Sequence, residues 1–83
     1  TVYVLLFCAT PIANARQRVA TVARDAGLRE ILPSVFQGEL TPYRRGRLLA
    51  AVEGAVRRVR PVHLEVLTLP AGHFLKRLVR KRG

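Results

Sequence analysis

Val2-Tyr3-Val4-Leu5-Leu6-Phe7-Cys8-Ala9 is an unbroken apolar run, rich in β-branched and aromatic residues and stopped by Thr10-Pro11. It is too short for an ordinary helix, and a strand with one wet face would alternate apolar with polar residues. The run therefore predicts a strand covered on both faces. Val2, Val4, Leu6 and Cys8 lie on one side, and Tyr3, Leu5 and Phe7 on the other. Whatever covers the first side must leave the second to something else.

Downstream, Ala15, Val19, Val22, Ala23 and Ala26 recur at helical spacing, and Gly27 supplies a C-terminal stop. Arg16, Arg18 and Arg24 fall mostly off that stripe, so this helix packs with one side and shows arginine on the other. Residues 30–32 and 34–40 read as two short strands broken by Pro33, which cannot donate to a ladder in mid-strand. Thr41 as N-cap and Pro42 in the first turn open a second helix. Its inner face is Leu48, Val52, Ala55, Val56 and Val59, and Pro61 ends it. Residues 62–69 form a last strand, and Pro70-Ala71-Gly72 a turn.

The order predicts an α+β fold. It is the ferredoxin-like β-α-β-β-α-β arrangement, a four-stranded antiparallel sheet with two helices on one face. The domain spans residues 1–72 and a basic C-terminal tail covers 73–83. Since the helices cover one face only, the second apolar face of the first strand calls for another copy of the chain, a homodimer. A chain of 83 residues with a single cysteine, and so no internal disulfide, needs such support.

Fifteen Lys+Arg stand against five Asp+Glu, a formal charge of +10, and thirteen of the fifteen are arginine. The guanidinium fork matches phosphate oxygens in a bidentate way, so the balance favours a DNA or RNA backbone as partner over an acidic membrane surface. The bland alternative is an arginine- and alanine-rich composition that simply follows from a GC-rich genome. No apolar run reaches the about 18–20 residues that span a bilayer, and the apolar stretch 1–9, without a basic segment before it and stopped by Thr10-Pro11, does not read as a signal peptide. A cytoplasmic location is expected, with an initiator Met or a few residues before Thr1.

Four segments taken together are more specific. Tyr3-Val4-Leu5-Leu6-Phe7, Arg16-Gln17-Arg18-Val19-Ala20, Gly27-Leu28 and Ser34-Val35-Phe36-Gln37-Gly38-Glu39-Leu40 resemble the CRISPR-associated protein 2 family over residues 2–69. The resemblance implies a ferredoxin-like homodimer with its sheets face to face, the C-terminal segment often completing the partner's sheet. It implies a role beside the CRISPR-associated protein 1 integrase in spacer acquisition for antiviral defence. For several members it also implies metal-dependent endonuclease activity on RNA or DNA. The family usually ends its first strand with an aspartate that holds a divalent metal. Here Cys8 and Ala9 occupy those places, and neither offers the oxygen that Mg²⁺ requires. No catalytic residue, metal site or cofactor is therefore expected, and Mg²⁺ enters only if an atypical endonuclease site exists. Glu39 is the one weak substitute, although an ion pair with a nearby arginine explains it better.

The candidate nucleic-acid contacts are Arg16, Arg18, Arg29, Arg44, Arg45, Arg77 and Arg80. The resemblance sets basic residues near the dimer groove at Arg16 and Arg18. Two residues apart on a helix they diverge by about 200° and cannot face one spot. Arg29 reads as a phosphate contact or as a surface pair with Glu30. Tyr43, Arg44, Arg45 and Arg47 crowd the start of the second helix, where cations oppose the dipole, so the cluster reads either as an anion site or as a solvated face. Phe36 and Cys8 read as core, and His63 and His73 as ordinary hydrogen-bonding side chains. The tail from Phe74 to Arg82 reads as a basic amphipathic helix that binds phosphate or docks a partner, an acidic protein included.

Overall fold

A computed structural model describes residues 1–70 and 76–83, with residues 70, 76 and 77 described by their backbone alone. Its elements are β1 (Val2–Ala9), α1 (Ala13–Asp25), β2 (Arg29–Leu32), β3 (Val35–Leu40), α2 (Pro42–Val56), β4 (Val62–Pro70) and β5 (Lys76–Arg82). The five strands form one sheet in the order β2-β3-β1-β4-β5, and every neighbouring pair is antiparallel. The molecule is therefore a small α+β protein with two helices and a five-stranded antiparallel sheet.

The fifth strand corrects the expected four-stranded sheet. The described part of the tail is not the amphipathic helix considered for it. It pairs along β4 from Thr68↔Lys76 to Val62↔Arg82. So short an isolated helix is marginal in water, whereas an open strand edge offers a ready ladder of hydrogen bonds. Ala71 and Gly72 of the expected turn, and His73, Phe74 and Leu75 of the tail, lie outside the described residues.

One face of the sheet carries the core. Val4, Leu6 and Cys8 of β1 are buried with Phe36 and Leu40 of β3 and with Val62, Leu64 and Val66 of β4. Ala15, Val19 and Ala23 of α1 and Leu48, Val52 and Val56 of α2 complete the same cluster, so both helices lie on this side. Each fully buried aliphatic side chain contributes roughly 1.5–3 kcal/mol.

The start and stop signals operate as physics requires. Gly27 adopts φ 101°, and α1 closes with Gly27 N–H donating to the Arg24 carbonyl and Leu28 N–H to the Ala23 carbonyl. That is a Schellman end. It drops Leu28 into the core against Gly38, where an added Cβ would stand 2.9 Å from Leu28 Cδ2. Thr41 Oγ1 accepts from Arg44 N–H at 3.2 Å, with Pro42 in the first turn.

Two boundaries move. Helix α2 stops at Val56 rather than running to Pro61. The last N–H groups, on Arg57 and Val59, tighten onto carbonyls three residues back, and a residue preceding proline avoids the helical region. Ser34 belongs to the hairpin turn, at φ 65°, and not to β3. The aromatic and aliphatic signals read for Phe36, Cys8 and Val59 hold: all three are buried.

The other face of the sheet lacks helices. Tyr3 (40% exposed), Phe7 (37%) and Leu69 (47%) stand on it, so β1 alternates buried and open in the single chain although its sequence is apolar throughout. Tyr3 Oη donates to Gln37 Oε1 across this face. Among the described residues, no helix is long and apolar enough to cross a membrane.

Candidate nucleic-acid interface

Three segments meet at one end of the molecule: residues 9–18, 57–63 and 80–83. They hold Arg16, Arg18, Arg57, Arg58, Arg60, Arg80, Lys81 and Arg82, eight of the fifteen cations, and no acid. The junction is hydrogen-bonded. Thr10 Oγ1 donates to the Pro61 carbonyl at 2.7 Å and accepts from Ile12 N–H at 3.2 Å, which joins the end of β1 to the α2–β4 connection. Arg16 Nη1 donates to the Thr10 carbonyl at 2.7 Å. Arg18 Nη2 reaches the Ala55 carbonyl at 3.1 Å and Arg82 Nη2 the Val56 carbonyl at 2.8 Å.

These last two contacts account for part of the charge in structural terms. The final turn of α2 has no basic residue of its own, and its free carbonyls carry the negative end of the helix dipole. Arg18 and Arg82 supply the missing cations from neighbouring elements. Arg80 bridges Glu53 at 3.0 Å, a half-exposed pair that pins β5 to α2. By contrast Arg57, Arg58, Arg60 and Lys81 are exposed, and none has a side-chain partner among the described residues. These four cations, without a side-chain partner among the described residues, lie on one rim beside Arg16, Arg18 and Arg82 and concentrate positive potential there, with Glu53 offsetting only Arg80.

The predicted contacts divide. Arg16, Arg18 and Arg80 belong to this end. Arg44 and Arg45 stand at the start of α2, at the opposite end of that helix. Arg45 is not a free cation: its Nε donates at 2.7 Å to the hydroxyl of Thr68, a buried residue. Arg44 has no side-chain partner among the described residues. Arg29 opens β2 opposite Gln37 and is exposed and likewise unpaired, because Glu30 takes Arg24 instead, at 2.9 Å. Arg77 is placed opposite Leu67 by its backbone; its side chain lies outside the described residues. Arg57, Arg58 and Arg60 are not among the contacts expected from the sequence. Treating 57–60 as the tail of a longer helix spread them around a cylinder, whereas the early stop of α2 gathers them in one connection.

The position that the resemblance gives to a metal-binding aspartate is Ala9, paired with His63 of β4. Glu39 is opposite Tyr3, six residues along β1 from Ala9 and so about 20 Å away along the strand. Glu39 forms no ion pair among the described residues. Nearer to Ala9, His63 Nε2 lies 3.2 Å from Glu65 Oε2, with the Phe7 ring edge-on to the imidazole at 6.0 Å. Among the described residues, no three His, Cys, Asp or Glu side chains converge. These side chains do not fit a hard divalent cation, which wants several oxygens.

Cys8 lies on the buried face. Burial pushes its thiol above 9.0, and the Arg16 charge opposes this only in part, so the sulfur is the protonated, poorly nucleophilic form at neutral pH. A comparison with protein-family models and with characterised proteins finds no match for this chain.

Proposed function

We propose that the chain is a nucleic-acid-binding homodimer of the CRISPR spacer-acquisition machinery, a scaffold that grips DNA by its phosphates and cuts nothing itself. The arginines of the acid-free α2–β4 connection, Arg57, Arg58 and Arg60, which have no side-chain partner among the described residues, carry this reading. Guanidinium groups left without internal partners pair with phosphate oxygens at little cost in broken contacts. The order β-α-β-β-α-β with both helices on one face supports the ferredoxin-like reading, extended here by a fifth strand. The open apolar face around Tyr3, Phe7 and Leu69 supports a second copy as its cover. The CRISPR-associated protein 1 integrase is the proposed partner on the strength of the resemblance alone.

The test is duplex DNA binding across a salt series. Affinity should fall steeply with salt. The triple variant Arg57→Gln, Arg58→Gln, Arg60→Gln should flatten the log–log slope by about 2–3, since each phosphate that goes unneutralised lowers it by about 0.9. A flat salt dependence in the unmodified protein sinks the reading.

One observation favours the alternative, a metal-dependent endonuclease with an atypical site. Ala9 sits beside a His63–Glu65 pair of the kind that serves in acid–base chemistry. Cleavage of DNA or RNA that requires Mg²⁺ or Mn²⁺, stops with chelator and is lost in His63→Ala would establish it.

A further inference from the structure

A second feature stands apart from the arginine-rich end. The groove between the end of α1 and the start of α2 offers about 540 Å³ in a shallow cleft open to solvent. Its floor is apolar, from Val22, Ala26 and Leu48, and its rim carries Asp25, Tyr43, Arg44 and Arg47. The rim residues are unspent. Tyr43 is 72% exposed and contributes nothing to the core. Arg47 holds its guanidinium 5.9 Å from the Tyr43 ring centroid, a cation–π contact that fixes the ring and leaves the guanidinium N–H groups free. Arg44 and Asp25 line the same groove and pair neither with each other nor with any other side chain among the described residues.

These four groups define a ligand by its chemistry. An exposed ring offers a stacking surface to a flat heterocycle. Two arginines beside it call for a phosphate. A carboxylate facing the same space accepts hydrogen bonds only. Of the common bases, guanine presents two adjacent donors on one edge, N1–H and the 2-amino group, which match the two oxygens of a carboxylate. Adenine and cytosine present only an amino group there.

We propose that this groove binds a guanine nucleotide, with the base stacked on Tyr43, its donor edge on Asp25 and its phosphate on Arg44 and Arg47. The nucleotide is either free or the end of a strand. The site does not depend on the phosphate-gripping role of the other end.

The experiment is titration of the full chain with GMP, IMP, AMP, CMP and guanosine, followed by calorimetry. GMP should saturate at one per chain and bind at least about tenfold tighter than AMP or CMP, with IMP between them and guanosine weakened by loss of the phosphate. Asp25→Asn should abolish the preference for GMP over AMP. Tyr43→Ala should weaken GMP by about tenfold. All the substituted side chains are exposed, so circular dichroism should report an unchanged fold. A 5′-guanosine overhang compared with a blunt duplex distinguishes a strand end from a free nucleotide: stronger capture of the overhang than of GMP assigns the strand end, and the converse assigns the free form. The Arg57, Arg58, Arg60 triple variant should leave GMP affinity unaltered. The proposal is overturned if GMP fails to saturate at millimolar concentration, if AMP binds equally well, if Tyr43→Ala binds like the unmodified protein, or if the triple variant loses GMP.

Discussion

Glu30 shows how a side chain on the surface can still organise a turn. Its carboxylate accepts from Arg24 at 2.9 Å and from Ser34 N–H at 3.1 Å, and so spans the β2–β3 hairpin where Ser34 sits at positive φ. The Ser34 N–H contact, and after it the Arg24 contact, hold the carboxyl below its ordinary 4.5. A depressed carboxyl stabilises the fold above the unfolded value and stops doing so as pH falls through the folded one. Glu30→Gln should therefore lower Tm at neutral pH, and the gap to the unmodified protein should close in thermal melts as pH drops below about 4.5. Thr10 is the buried counterpart, with one hydroxyl that donates to Pro61 and accepts from Ile12. Thr10→Val should cost about 1–3 kcal/mol in denaturant unfolding, because it leaves two backbone groups unsatisfied. At this scale the sequence was legible where one residue type has one use. Gly27 and Thr41-Pro42 announced their positions; Thr10 did not, since its partner lies 51 residues away and only the fold brings them together.

The elements were more legible than their surroundings. The apolar run of residues 2–9, the helical stripe and the Pro33 break all appear where periodicity put them, because each encodes a local repeat that needs no partner to be read. The fifth strand was hidden. Leu78-Val79-Arg80-Lys81-Arg82 has the charge of a solvated tail, and only the free edge of β4 makes it a strand. Gly38 gives a test of how tightly these elements are keyed. Gly38→Ala would press a methyl group against Leu28 and the Gly27 carbonyl, and should destabilise by about 1–3 kcal/mol, read from the urea midpoint. Sheet position also sets a dynamic order. β1 is paired with β4 over its whole length and with β3 over Val2–Phe7, while β2 is short, irregular and at an edge. In native-state hydrogen exchange the amides of β1 should therefore be slowest and those of β2 among the fastest.

At the scale of the molecule, one side of the sheet is finished and the other is not. Tyr3, Phe7 and Leu69 expose apolar surface beside the half-buried His63–Glu65 pair. If that face is closed by a second copy, sedimentation should show a dimer in the unmodified protein, and Phe7→Glu should hold it monomeric at the same concentration without loss of secondary structure. The candidate interface was half legible. Composition is the ground on which a polyanion partner is proposed, but no local pattern could reveal that residues 9–18, 57–63 and 80–83 share one end. Their meeting is a product of antiparallel topology, which returns the end of β1, the start of β4 and the end of β5 to the same place. That placement has a kinetic meaning. Charge gathered at one end and diluted elsewhere makes the molecule a permanent electric dipole, so under the proposed role the field of a polyanion would turn it before the two surfaces touch. Encounters would then begin already aimed, and fewer of them would be wasted on the wrong side of the protein.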